Sequence, residues 1–173
     1  MTGRLALRRI TSINEAASAT SLALEYGLWA ARVAKEEYGI DAEAETEQGL
    51  STSLGEFFEP RARLYVAELD GVPVGLGGLK AASNTVGEIK RVYVQPSARG
   101  HGIGRTLVER LIEDARGLRF ERLRLESAAF MREAHSLYRL YGFREIEPFP
   151  GREFEHVPGA DDIQVFMELT LDS

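Results

Sequence analysis

The stretch that decides the fold is VYVQPSARGHGIGRTLVERLIEDA, residues 92–115. An apolar run ends at Pro96, three glycines follow at positions 100, 102 and 104, and an amphipathic helix pattern begins directly after them. The first N–H groups of a helix have no intrahelical partner, and the helix dipole adds positive charge there. Glycine lets an anion approach such groups closely and permits positive φ. The stretch therefore predicts either a phosphate-binding loop or a plain glycine-rich turn before a helix.

Two common nucleotide-binding signatures do not fit this stretch. A Walker loop requires Gly-Lys-Ser/Thr after four spacer residues, and RGHGIGRT contains no lysine. A dinucleotide fingerprint requires a third glycine where Leu107 stands. Arg99 and Arg105 nevertheless flank the glycines with positive charge suited to phosphate. The alternative that the stretch binds phosphate in a site of another kind therefore remains.

Length and composition predict a single soluble domain over residues 1–173, with 44% hydrophobic and 28% charged residues. The chain has no cysteine, which excludes disulfides and fits a cytoplasmic location, and its three histidines are too scattered to predict a metal site. It also lacks the apolar core of a signal peptide and any apolar run near the roughly 20 residues that span a bilayer. The net charge of −6 argues against nonspecific nucleic-acid binding. We expect neither a membrane nor a nucleic-acid partner, and a homodimer is left open.

The hydrophobic pattern predicts elements in the order β-α-α-β-β-β-α-β-α-β-β, an α+β or mixed α/β sheet with helices on its faces. Ser12 or Asn14 is expected to cap the first helix, and the Asp70-Gly71 pair predicts a hairpin turn. The glycines at 75, 77 and 78 predict a bulge or close packing. The predicted strands are 5–10, two within 62–83, 85–96, 120–127 and 162–169, with a short one after Phe143, and the predicted helices are 15–39, Asp41 to Phe58, 102–116 and 132–143.

The glycine stretch resembles the GCN5-related N-acetyltransferase (GNAT) family, whose Arg/Gln-x-x-Gly-x-Gly/Ala signature is matched by Arg99, Gly102 and Gly104. Residues 133–149, EAHSLYRLYGFREIEPF, are similar to the family's C-terminal Ala-x-x-x-Tyr-x-x-x-Gly-Phe helix and strand. Both motifs stand in family order, and the resemblance covers residues 61–171. It implies the acyl-CoA N-acyltransferase fold, with a mostly antiparallel central sheet, and an acetyl-CoA-dependent N-acetyltransferase that uses no metal.

The resemblance also implies which residues bind the coenzyme. The backbone of the central strand would pair with the pantetheine amides like an added strand, and the amides of the glycine loop would bind the pyrophosphate. Many family members carry an asparagine on the coenzyme where this chain has Met131, which removes a hydrogen bond but leaves backbone contact possible. The implied coenzyme residues are Val92, Tyr93, Val94, Arg99, Gly100, His101, Gly102, Ile103, Gly104, Arg105, Met131 and Tyr138.

Acetyl transfer needs a proton donor for the leaving thiolate and a base for the attacking amine. By resemblance Tyr138 is the donor, although it also lies on the apolar stripe of its helix; Tyr141 is interpreted as packing. By resemblance Glu88 is the base, with Glu126 as the backup. In an unbroken strand Glu88 shares a face with Val92 and Val94, where it could simply form a surface pair with Lys90, whereas a bulge would change these faces.

The acceptor is expected to be the primary amine of a small molecule. Its site would be formed by the N-terminal helices, the loop at 80–85 and the segment from Pro148 to Asp162. The six acids within residues 36–47 are either a solvated helix junction or a rim that attracts a cation. His135 is interpreted as a surface residue. The alternatives are a non-catalytic acyl-CoA-binding or regulatory domain and a protein or peptide N-acetyltransferase.

Overall fold

The computed structural model describes residues 3–43 and 54–172, and within them the chain forms one seven-stranded sheet with helices on both faces. The strands are β1 (Leu5–Arg9), β2 (Arg63–Leu69), β3 (Val72–Ala81), β4 (Val86–Val94), β5 (Arg122–Ala128), β6 (Arg144–Ile146) and β7 (Gln164–Thr170). The α-helices are α1 (Ala17–Tyr38), α2 (Ile103–Gly117) and α3 (Arg132–Leu140).

The strand order is β1-β2-β3-β4-β5-β7-β6, and every neighbouring pair is antiparallel except β4 and β5. This arrangement confirms the predicted mixed fold with a mostly antiparallel sheet. The single parallel pair arises because α2 carries the chain back across the sheet between β4 and β5. The carboxyl end of β4, followed by the glycine loop, therefore lies at the middle of the sheet.

Two cores hold the helices on opposite faces of the sheet. On one face α2 buries Leu107 and Leu111 against sheet residues such as Leu79 and Leu123. On the other face α1 packs against β2 and β3 through small and aliphatic side chains. Each leucine that is fully buried in this way contributes about 1.5–3 kcal/mol. The two layers fix α1 and α2 on either side of β4.

The turn and glycine predictions are confirmed. Asp70 and Gly71 have φ values of 52° and 81°, as a two-residue hairpin turn between β2 and β3 requires. A Cβ added at Gly78 would lie 2.4 Å from the ring of Phe57, so this glycine is needed for close packing. Gly39, with φ of 69°, ends α1.

Two helix predictions change. Neither Ser12 nor Asn14 caps α1, since a short 3₁₀ turn at Ile13–Glu15 intervenes and the N-cap of α1 is Ala16, with no side-chain hydrogen bond. The predicted helix from Asp41 to Phe58 lies largely outside the described residues, and its last part is a 3₁₀ turn at Leu54–Phe58. In the parts of the chain that the structure describes, no helix is both long and apolar enough to cross a bilayer.

Candidate active site

A bulge in β4 creates the site. β4 pairs with β5 only from Val86 to Ile89, and the rest of the strand leaves β5 while staying paired with β3. On the β3 side, Lys90 lies opposite Gly78 and Tyr93 opposite Leu76, so β4 carries one extra residue between these pairs. Arg91 occupies the bulge with φ of 61°, an unusual conformation for a residue with a side chain. Beyond the bulge, the edge of β4 that faces β5 has no strand partner among the described residues.

The bulge also exchanges the faces of the strand. Glu88 and the ring of Tyr93 both lie on the α1 side, where Tyr93 stacks on Tyr26 with ring centroids 5.2 Å apart. Val92 and Val94 instead pack into the core on the α2 side. The unbroken-strand alternative, which placed both valines on the face of Glu88, is therefore wrong, and the alternative with a bulge is confirmed.

The glycine loop, residues 99–105, leaves backbone donors exposed. Gly100 and Gly102 have φ values of 83° and 73°, and no atom would contact a Cβ at either position within 4 Å. Gly102 is the N-cap of α2 and makes no side-chain cap hydrogen bond. Within the described residues, the N–H groups of Ile103 and Gly104 donate to no protein acceptor. The loop is thus an open set of donors at the positive end of α2.

An open cleft of about 480 Å³ runs from this loop along the free edge of β4 to the start of α3. Aromatic side chains from α1 and from the loop before α3 form its outer side. Arg99 donates to the carbonyl of Val94 at 3.1 Å. The lining residues are Tyr26, Trp29, Val92, Tyr93, Val94, Arg99, Gly100, Gly102, Ile103, Gly104, Phe130, Met131, Arg132, Glu133, Ala134 and Leu137.

A smaller, partly open cavity of about 130 Å³ adjoins the open cleft, where β4 and β5 separate. All its lining residues are buried or half-buried, and we call it the buried cavity. Tyr26, Phe130 and Met131 line both spaces and form the boundary between them. The other walls come from α1, from β4 and β5, and from the segment between β6 and β7. The remaining lining residues are Gly27, Ala30, Ala31, Ala34, Ile40, Ala42, Glu88, Ile89, Lys90, Arg91, Glu126, Ser127, Ala128, Glu153, Phe154, Ala160, Ile163 and Gln164.

Glu88 lies on the floor of the buried cavity. Its side chain is 6% exposed, and its Oε2 accepts hydrogen bonds from Arg124 at 2.9 Å. Lys90 Nζ lies 3.6 Å from the other carboxylate oxygen. The surface-pair interpretation of Glu88 and Lys90 is therefore wrong, because β5 and the segment before β7 cover both side chains.

Glu153 closes the cavity from the segment between β6 and β7. Its carboxylate binds Arg91 at 2.9 and 3.0 Å and lies 3.2 Å from Lys90. Burial opposes its charge, but Arg91 and Lys90 outweigh burial and lower the pKa of Glu153 to about 2. This ion cluster ties the segment to the bulge of β4.

Glu126 differs from the other two carboxylates. Its oxygens accept hydrogen bonds from the backbone N–H of Glu153, at 3.1 Å, and from the side-chain amide of Gln164. The ion pairs among the described residues leave it without a cation within 4.0 Å. Burial raises the pKa of Glu126, and the hydrogen bond from Glu153 and the more distant charge of Lys90 only partly offset this. A carboxyl group of this kind can exchange a proton closer to neutral pH than an exposed one.

Tyr138 is fully enclosed between α3 and the sheet and lines neither space; its ring packs on Phe143 at 5.6 Å. Burial, with a smaller contribution from neighbouring Tyr26, raises the pKa of the Tyr138 phenol. Burial also raises the pKa of Tyr26 to about 12, and its hydroxyl lies 3.5 Å from the sulfur of Met131. Both phenols are protonated at neutral pH.

The predicted site residues are largely brought together. Nine of the twelve predicted coenzyme residues line the open cleft, and both predicted carboxylates line the buried cavity. The side chains of His101 and Arg105 turn away, toward the carbonyl of Ala98 and toward Glu109 respectively. His135 is not a surface residue: it is 5% exposed, and its ring nitrogen is hydrogen-bonded to Ser127 at 2.8 Å.

The predicted acceptor segments behave unequally. The first helix and residues 153–163 line the buried cavity, whereas the loop at 80–85 contributes nothing to its described wall. Of the acidic run at 36–47, Asp41 and Glu43 are exposed and pair with Lys35, and the members at 45 and 47 lie outside the described residues. Sequence reasoning missed Tyr26 and Glu153. The aromatic cluster YGLW at 26–29 within α1 was the available signal for Tyr26.

Comparisons with known proteins agree with this geometry. A model described as the acetyltransferase (GNAT) family matches residues 26–143. An "IAA acetyltransferase" of Azospirillum brasilense is 37% identical over 114 residues, covering 65% of this chain and 71% of that protein. An "amino-acid acetyltransferase" of Mycobacterium tuberculosis is 35% identical over 131 residues, covering 70% and 71%. The PaiA N-acetyltransferase of Thermoplasma acidophilum, solved in complex with coenzyme A, shares the fold with a TM-score of 0.70 at 20% identity, over 97% of this chain and 99% of that one.

Proposed function

The chain belongs to the GNAT family of acetyltransferases, and from this premise we propose that it transfers the acetyl group of acetyl-CoA directly to the primary amine of a small molecule in a ternary complex. The observation that carries the proposal is the junction at Tyr26, Phe130 and Met131. There an open cleft with anion-binding donors meets a buried cavity with three carboxylates. The cavity has the volume of a small molecule, which favours such an acceptor over a peptide.

The residues of the open cleft fit a coenzyme that supplies an activated acetyl thioester. The exposed N–H groups at the start of α2 suit a diphosphate, and the open space beside Gly100 and Gly102 lets it come close. The free edge of β4 near Val92 and Val94 suits amides that add to the sheet as an extra strand. Met131 lies in the wall of the cleft, so the wall has no gap at the position where many family members carry an asparagine.

An amine must lose a proton to become a nucleophile, and three carboxylates line the cavity, of which Glu153 already pairs with Arg91 and Lys90. The family resemblance favours Glu88, but Arg124 and Lys90 already neutralise that carboxylate. Glu126 has no cation partner among the described ion pairs, and its raised pKa makes it the better proton acceptor. We therefore assign proton removal to Glu126, and Glu88 the role of keeping Arg124 and Lys90 in place. Glu88 as the base is the competing assignment.

The departing thiolate needs a proton, for which Tyr138 remains the predicted source. Its phenol is protonated at neutral pH, and it neighbours Tyr26, which lies in the wall of the cleft. Tyr138 lines neither space, so proton transfer from it requires a movement of side chains in the cleft wall. The Mycobacterium tuberculosis relative is named an amino-acid acetyltransferase, so amino acids are the competing acceptor class.

The proposal is tested with a thiol-release assay over a panel of primary amines, together with calorimetry of acetyl-CoA binding. We expect binding and amine-dependent release of coenzyme A. Binding without release for any amine would favour the non-catalytic alternative. Release that depends on peptides but on no small amine would favour the protein-acetylating one.

A further inference from the structure

The buried cavity is apolar along the side that an acceptor's body would contact. On α1, Ala30, Ala31 and Ala34 face it with small side chains, and Phe154 and Ile163 cover it from the segment before β7. These side chains offer no hydrogen bond. An apolar cavity of about 150 Å³ is enough to hold a benzene ring, so the space here suits an alkyl or aryl group of similar size.

The two cations in the wall are already engaged. Arg91 donates to both carboxylate oxygens of Glu153, and Lys90 lies between Glu153 and Glu88. A carboxylate on the acceptor would have to displace Glu153 or enter the cavity without a counter-ion. Burial of an uncompensated charge is strongly unfavourable, so this wall rejects acceptors that carry a carboxylate.

Glu126 is the one carboxylate of the wall for which the described ion pairs provide no cation. An incoming ammonium would give it that partner and would be held beside the boundary with the open cleft. A second ammonium on the same acceptor would point into the apolar side, where no such partner is described.

Given the proposed acetyl transfer, on which this inference rests, we propose that the acceptor is a small apolar primary monoamine without a carboxylate, of the branched-alkyl or arylethyl kind. Its ammonium lies at Glu126 and its body lies against the alanines of α1. The amine then loses its proton to the same carboxylate that bound it.

Matched acceptors test the inference, since each pair differs by one charged group. We expect kcat/KM for isopentylamine to exceed that for leucine, and that for 2-phenylethylamine to exceed that for phenylalanine, by at least about 100-fold. The kcat/KM for 1,5-diaminopentane should fall below that for pentylamine by the same factor. The amino group of an amino acid is less basic than that of the matched monoamine, so a larger fraction of it is neutral and able to attack. Protonation alone would therefore make the amino acids the better acceptors, which is the opposite of the predicted order.

Leucine, phenylalanine or the diamine reacting as fast as its matched monoamine would overturn the inference while leaving the proposed function intact. If no amine of either series releases coenzyme A although acetyl-CoA binds, the proposed function itself fails. The two failures are therefore distinguishable in one experiment.

Filling the cavity tests where the body of the acceptor lies. Ala31→Leu should lower kcat/KM for 2-phenylethylamine by about tenfold or more, leave that for ethylamine within about twofold, and leave acetyl-CoA affinity unchanged. Ala17→Leu, on the exposed face of the same helix, is the matched control and should change kcat/KM for neither amine. Equal losses for both amines in Ala31→Leu, with an unchanged melting temperature, would overturn the assignment.

Discussion

Glu153→Gln is the substitution whose effect can be worked out most fully, because one carboxylate binds two cations. The pKa of Glu153 falls from 4.5 to about 2, and its side chain is 22% exposed. Each unit of pKa shift corresponds to 1.36 kcal/mol, so the charged form contributes about 3 kcal/mol to the free energy of unfolding. Since the folded-state pKa is the lower one, this contribution is complete above about pH 4.5 and is lost as the pH falls toward 2.

Urea unfolding of the wild type and the variant measures the difference directly. We expect the variant to be less stable by about 3 kcal/mol at pH 7 and by roughly half as much at pH 3, because groups that titrate in both proteins cancel. Glu145→Gln is the matched control: Glu145 pairs with Arg139 with both side chains more than half exposed, and the effect should stay below about 1 kcal/mol. Equal stability of Glu153→Gln and the wild type at pH 7, or a difference that does not shrink at pH 3, would refute the ion-cluster argument.

Three further substitutions probe the chemistry. Gly102→Glu should abolish acetyl-CoA binding in calorimetry, because it places a carboxylate against the diphosphate. Gly102→Gln, which shares the backbone strain at φ of 73° but not the charge, should lose less affinity; equal affinities of the two variants would contradict the anion site. Tyr138→Phe should lower kcat about 10- to 100-fold with little change in acetyl-CoA affinity; an unchanged rate would make Tyr138 a packing residue. Glu126→Gln should abolish the acidic limb of the pH–rate profile. The variant should be at least as stable as the wild type, because burial disfavours the charged form of Glu126. If only Glu88→Gln removes that limb, Glu88 is the base.

Local sequence patterns were sufficient for most of the fold. The alternation in residues 85–96 and the helical period from Ile103 onward identified β4 and α2 to within a few residues, because burial on one face repeats along each element. The hairpin at Asp70-Gly71 was equally predictable, since few residue pairs adopt two positive φ values. These signals depend only on residues that are close together in the sequence.

The bulge and the buried cavity were not predictable in the same way. Arg91 has no local property that favours positive φ, so its conformation depends on pairing with β3 and on Glu153, 62 residues away in the chain. Glu126 and Tyr26 likewise reach the cavity wall only through tertiary packing. His135 is buried where α3 packs on the sheet and is hydrogen-bonded to Ser127 on β5, a tertiary contact that the polar pattern of α3 does not reveal.

The bulge at Arg91 links the two halves of the proposed reaction. By adding one residue to β4, it turns the strand away from β5 and frees the edge that suits the coenzyme. The same extra residue puts Tyr93 on the α1 side, where it stacks on Tyr26 at the boundary of the two spaces. The side chain of Arg91 then binds Glu153, whose segment forms one wall of the buried cavity. A left-handed arginine in a strand is energetically unfavourable, and this one is held where a regular strand would leave neither a cleft nor a cavity.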